Sequence, residues 1–158
     1  MSYIVKYFEK PVIVSFFFLV FLIIYSIIGS RIIDAGNDYQ NQLANETFKS
    51  MFWLFLFGSL VETFFFNLLL WFFLIKQKLI HLKISNIIIL CSIFFGLAHF
   101  SSLKFLVITT IVGIIFNINF YIFLKIYKSY GIAFLATFLL HFFSNFFTYV
   151  VNDYILPK

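Results

Sequence analysis

Charge is what this sequence has least of. Charged residues fill 11% of its 158 positions and hydrophobic residues 63%, whereas a soluble domain carries about 25% charged residues. So few polar groups cannot cover the surface of a water-soluble fold, and lipid becomes the expected solvent. Cysteine is nearly missing too. Cys91 is the single one, so no intrachain disulfide forms, and a lone thiol inside an apolar run reads as a small packing residue. No arginine-rich or aromatic-basic surface is present for reading bases, which removes nucleic acid as a partner. A cleavable signal peptide is not expected: Lys6 and Lys10 resemble a basic leader, but the apolar run after them is too long and lacks a small-x-small cleavage site. No internal repeat, second domain or phosphate-cradling loop is visible, so residues 1–158 read as a single membrane domain.

What is present is long apolar sequence. Aromatic residues make up 24%, including 27 Phe. The weight of Phe, Ile, Asn and Lys also matches an AT-rich coding bias, so no individual Phe is singled out on that ground. A spanning helix needs roughly 20 mostly apolar residues to cross about 30 Å of hydrocarbon. Five segments meet that need: about Pro11 to Gly29, Met51 to Ile75, Ser85 to His99 or Ser101, Phe105 to Leu124, and Gly131 to Val151. Pro11 is well placed to start the first helix, and Ser85 to cap the third. The expected fold is therefore all-α, a polytopic transmembrane helical bundle of about five spans. Residues 2 to 10 are expected to form an amphipathic turn on the surface. The polar stretch from Arg31 to Thr47 is expected to be a solvated connector; within it Asn45-Glu46-Thr47 matches a glycosylation sequon, a pattern common by chance.

The net charge of +5 follows the membrane rather than a ligand. Lys6 and Lys10, then Lys76, Lys78 and Lys83, then Lys125 and Lys128 fall on one side of the five spans. Arg31, Lys49, Lys104 and Lys158 share the other side with Asp34, Asp38, Glu46 and Asp153. Basic loops stay in the cytoplasm, so the N-terminus is expected inside and the C-terminus outside, with lipid headgroups meeting the basic clusters.

Against this background a few polar residues stand out. An ionisable side chain at mid-membrane costs about 2.5–3.5 kcal/mol or more, so its default reading is functional. Glu62 lies about 11 residues into the second span, which at about 1.5 Å per residue is near mid-bilayer, and no Lys or Arg lies within a helical turn of it. A carboxyl tuned towards neutrality suits a general acid or base; the structural alternative is a neutral acid bonded to a neighbouring helix. His99 closes the segment Phe95-Gly96-Leu97-Ala98-His99, where small residues allow close helix approach. Its place near the span end also fits an interfacial histidine. His141 and Asn145, four apart in the fifth span, share a helical face, as a helix–helix network or a substrate-facing wall requires. Asn117 and Asn119 are two apart and cannot share a face; Asn117 reads as structural. Convergence of Glu62, His99 and His141 in one pocket would serve all three at once.

The ordered set Glu62, then Phe95-x-x-x-His99, then His141-x-x-x-Asn145 resembles the signature of the CPBP family, the CAAX-type and bacteriocin-processing intramembrane proteases also called the Abi family. The resemblance covers about residues 50 to 150. The family pattern is Glu-Glu-x-x-x-Arg, Phe-x-x-x-His and His-x-x-x-Asn or Asp on successive helices. Here Thr63 stands at the second glutamate and Asn67 at the arginine. Joint loss of a charged pair leaves no orphan charge.

The resemblance implies a glutamic-type endopeptidase of a bacterial cell membrane, with no cofactor. Glu62 and His99 are the implied activators of water, and His141 and Asn145 the implied oxyanion donors. Phe95, Thr63 and Asn67 are supporting residues, Thr63 to help orient Glu62 and Asn67 to line a water-filled cavity. The implied substrate is a peptide or a membrane protein. Two histidines and a carboxylate are also competent zinc ligands, although the local His-Glu-x-x-His signature is missing. The absent Glu–Arg pair leaves a second class open: a catalytically degenerate scaffold conferring bacteriocin immunity or regulation. A transporter is a third option, for which five spans and one carboxylate supply little pathway.

Overall fold

The computed structural model describes residues 2–32, 48–76 and 83–152. Helix α1 spans Ser2–Ile32, α2 Phe48–Thr63, α3 Leu70–Lys76, α4 Ile84–Ala98, α5 Leu103–Tyr127 and α6 Tyr130–Val150. A π-helical segment, Phe64–Leu69, joins α2 to α3 without a break. Among the described residues there is no strand, and the all-α bundle expected from the sequence is what forms. The polar connector over 33–47 with its sequon, and the charges Lys78, Asp153 and Lys158, lie outside the described residues.

Among the described residues, three rods are long and apolar enough to cross a membrane: Phe48–Ile75, Leu103–Tyr127 and Tyr130–Val150. Two shorter apolar helices, Lys10–Tyr25 and Ile84–Ala98, accompany them. The distribution of polarity agrees with a lipid environment. Phe16, Phe17, Leu54, Phe57 and Leu103 are exposed, while Ser59, Thr63, Asn67, Asn117, Asn119 and His141 are buried. Water as solvent would favour the reverse.

Three expectations need correction. Ser85 does not cap α4: the helix starts at Ile84 with Lys83 at the cap position, and Ser85 lies inside the first turn. Pro11 does not start a helix, and residues 2 to 10 do not form a separate turn. α1 begins at Ser2 and carries Pro11 in its interior. A proline there removes one intrahelical hydrogen bond and crowds the turn before it. Membrane helices tolerate this when neighbours surround the defect, and Pro11 is fully buried.

α6 is the central helix, packed against α5, α2 and α1, while α4 pairs closely with α5. The π segment contacts α4, α5 and α6 at once. Small residues set the α4–α5 approach. A Cβ on Gly96 would collide with the Thr110 hydroxyl and stand 3.1 Å from the Leu106 carbonyl oxygen, and one on Gly113 would meet the Ser92 backbone at 3.2 Å. α4 has 15 residues, a rise of about 22 Å, short of the roughly 30 Å hydrocarbon layer. It ends at His99, whose N–H reaches the Gly96 and Leu97 carbonyls. Ser102 then caps α5 by accepting from the Phe105 N–H at 3.2 Å. At the other end of α5, Lys128 takes the left-handed conformation with φ 54° and the chain turns directly into α6.

The α4–α5 contact therefore predicts the effect of enlarging it. Gly96→Val is expected to lower stability by about 1–3 kcal/mol through overpacking, seen as a lower melting temperature in detergent, whereas Ala98→Val on the exposed side is expected to change it little.

Candidate active site

Glu62 stands one residue before the end of α2, on the rod whose π segment starts two residues later. Its carboxylate is the meeting point of three helices. His99 Nε2, from the end of α4, lies 3.2 Å from Glu62 Oε2. His141 Nε2, from the middle of α6, lies 3.5 Å from the same oxygen. The Glu62 and His99 side chains retain 30% and 27% exposure, and His141 retains 3%. The open side of the cluster is therefore formed by Glu62 and His99, with His141 beneath them.

Hydrogen-bond partners constrain where the protons sit. His99 Nδ1 is 2.8 Å from the Phe95 carbonyl oxygen. A carbonyl only accepts, so Nδ1 carries a proton and donates it. In a neutral ring Nε2 is then an acceptor facing the Glu62 carboxyl, and one proton is shared across that 3.2 Å contact. His141 Nδ1 lies 3.2 Å from the buried Thr63 hydroxyl oxygen. Asn145, one turn beyond His141 on α6, donates from Nδ2 to Ser59 Oγ at 3.3 Å.

Aromatic rings hold the imidazoles in place. The buried Phe95 ring packs on His99 with centroids 4.5 Å apart and on His141 at 5.8 Å. Phe116 covers His141 at 4.3 Å. Phe66, from the π segment, meets Phe95 edge-on at 5.6 Å. The four-residue spacing from Phe95 to His99 thus places a ring between the two histidines and a carbonyl under one of them.

Glu62, Phe95, His99 and His141, singled out from sequence, come together; Asn145, one turn beyond His141 on α6, bonds to Ser59. Thr63 and Asn67 do not take the places expected of them. The Thr63 hydroxyl meets His141 rather than Glu62. Asn67 is buried to 1% exposure and lines no open cavity. It donates to Asn117 Oδ1 at 3.0 Å, beside the Trp71 indole N–H at 2.6 Å. The Asn117 amide in turn donates to Ser92 Oγ at 3.2 Å and to the Gly113 carbonyl at 2.9 Å. Both of its lone pairs and both of its protons are used, which makes it a structural hub. Asn119 points elsewhere, accepting from Ser15 at 2.6 Å and donating to Thr137 at 3.2 Å. Sequence reasoning missed Ser59, Phe66 and Phe116. Ser59 was detectable as a polar residue one helical turn before Thr63; one Phe among 27 carried no signal.

Among the described residues, no group of three or more His, Cys, Asp or Glu side chains is arranged to hold a metal ion. Compared with family models, curated proteins and solved structures, the chain finds no match.

The Asn117 hub generates a stability prediction. Asn117→Leu strands two buried donors, and each unsatisfied group costs about 1–3 kcal/mol. Asn67→Leu removes one donor and leaves the Trp71 bond intact. Thermal unfolding in detergent is expected to rank the parent above Asn67→Leu and Asn67→Leu above Asn117→Leu.

Proposed function

We propose that this chain is an intramembrane endopeptidase of glutamic type, acting on a peptide or a membrane-associated protein. One observation supports it above the others: two imidazoles from different helices face a single carboxylate oxygen of Glu62 at 3.2 and 3.5 Å, at the middle of a long apolar rod. A carboxyl placed there and left half-open has the position of a general base rather than of helix glue. The order and spacing of Glu62, Phe95, His99, His141 and Asn145 also resemble the CPBP family.

In this reading Glu62, steadied by His99, takes a proton from water as the water oxygen bonds to the peptide carbonyl carbon. The oxyanion that develops receives hydrogen bonds from His141 and Asn145. The C–N bond then breaks, and Glu62 returns its proton to the leaving nitrogen. The products are a carboxylic acid and an amine, and no step requires a metal. Pre-aimed donors in a dry site are effective because they need no reorganisation when charge develops; one such donor is worth roughly 2.7–4 kcal/mol. A bacterial peptide, such as a signalling peptide or a bacteriocin leader, fits this setting better than a prenylated tail. Zinc remains a chemical rival, since a carboxylate and two imidazoles suit that ion.

Thr63 and Asn67, at the positions of the family's Glu–Arg pair, favour a second reading, a non-catalytic scaffold for bacteriocin immunity or regulation. Reconstitution in phospholipid vesicles with bacterial membrane proteins, followed by mass-spectrometric mapping of new peptide termini, separates the two. The parent is expected to generate new termini whether or not a chelator is present. Glu62→Gln, His99→Ala and His141→Ala are expected to lose at least about 100-fold in rate while inserting normally. Full cleavage by Glu62→Gln would refute the endopeptidase; partner binding or immunity retained by all variants, with no cleavage by the parent, would establish the scaffold.

The same proposal has about five spans, with Lys76, Lys83, Lys125 and Lys128 cytoplasmic. The exposed turn after α4 then faces outward. Ser101→Cys in a Cys91→Ser background is expected to react with an impermeant maleimide on intact cells. Reaction only after permeabilisation would reverse the orientation.

A further inference from the structure

Two hydroxyls on α2 behave differently from those of Ser92 and Thr109. In a helix, Ser and Thr ordinarily donate to the carbonyl four residues back. Ser92 does so to Ile88 at 2.6 Å, and Thr109 to Phe105 at 2.8 Å. Ser59 and Thr63 instead reach across to α6, Thr63 to His141 Nδ1 at 3.2 Å and Ser59 to the Asn145 amide at 3.3 Å. The pairs 59/63 and 141/145 each have four-residue spacing, so the contacts form two rungs one helical turn apart. Ser59 and Thr63 are 1% and 0% exposed, which keeps water from substituting for either rung.

We propose that Ser59 and Thr63 are positioning residues that aim Asn145 and His141 at the oxyanion, a role that rests on the endopeptidase reading of those two donors. An imidazole can donate from Nε2 only if that nitrogen holds the proton. A neutral ring then offers a lone pair at Nδ1. The Thr63 O–H fills that lone pair, and Nε2–H is left directed at the Glu62 side of the site. With Nδ1–H, the same ring would present a lone pair where an oxyanion needs a donor. Ser59 accepts one of the two Asn145 amide protons, fixing which end of the amide faces the seam and leaving the second proton for substrate.

The test pairs a spectroscopic readout with a kinetic one. In detergent-solubilised full-length protein with 15N-labelled histidine, the parent and Thr63→Ser are expected to show His141 protonated at Nε2 and bare at Nδ1. Thr63→Val is expected to lose that single state. Against a peptide whose cleavage by the parent has been mapped, Thr63→Val and Ser59→Ala are expected to lose roughly 10- to 100-fold in kcat, below the full loss of an oxyanion donor, with KM within about twofold and melting temperature near that of the parent. Thr63→Ser is expected to restore kcat. Nδ1 protonation in the parent, or a Thr63→Val protein with unchanged tautomer, would overturn the proposal, as would parental kcat in both hydroxyl-deleted variants. The tautomer is read without substrate, so it stands even if Glu62→Gln shows the protein not to be an endopeptidase.

Discussion

A carboxyl at bilayer depth can persist only where other polar groups come to it, because lipid supplies none. Glu62 imposes that condition on the bundle. His99 answers it from the end of α4 and His141 from the middle of α6, so both helices must cross the long rod at one height. The short α4 fits this requirement. Its last turn stops where His99 faces Glu62, and its tight contact with α5 at Gly96 and Gly113 fixes how deeply it sits. The same contact brings Phe95 between the two imidazoles. A shift of α4 by one turn, about 5.4 Å, would part the histidine from the carboxyl and remove the ring from its slot together.

The remaining buried polar groups extend this logic along the bundle. Below the site, Asn117 ties the long rod to α4 and α5 through Asn67, Trp71 and Ser92. On the opposite face of α5, Asn119 ties α1 to α6 through Ser15 and Thr137. Association of helices in lipid lacks the hydrophobic drive it has in water and relies on packing and such bonds. Each network also specifies register: sliding one helix would leave several amides unpaired at once, at about 1–3 kcal/mol each. The polar layers therefore hold the frame in which the smaller distances at Glu62 are possible.

The helices were legible because apolar length and polar interruption are one-dimensional properties. Glu62, His99 and His141 were legible for the same reason, as ionisable residues inside apolar runs. What escaped is three-dimensional. The π segment Phe64–Leu69, with the Leu70 N–H bonded to the Phe65 carbonyl five residues back, has no compositional mark, since three successive Phe suit an α-helix as well. It widens the turn between Thr63 and Asn67, so one residue faces α6 and the other α5. Regular four-residue spacing would put both on one face; the resemblance implies Asn67 beside the site, and the widened turn places it in the hub. Pro11 suits the first position of a helix, but burial among neighbours lets it sit in the interior of α1.

Thr63 and Asn67 show how polar side chains are buried near Glu62 without adding charge. A buried carboxylate–guanidinium pair must recover several kcal/mol of desolvation per ion through near-ideal geometry. A hydroxyl and an amide carry no such debt and need only one good partner each. His141 supplies it for Thr63, and Asn117 for Asn67. A glutamate at 63 would set a second carboxyl beside Glu62, and the two would compete for the same histidines. An arginine at 67 would bury a cation against Asn117 and Trp71. Either change is unfavourable singly, so the neutral pair is self-consistent as a unit. Uncharged side chains at 63 and 67 therefore leave the convergence of His99 and His141 on Glu62 undisturbed.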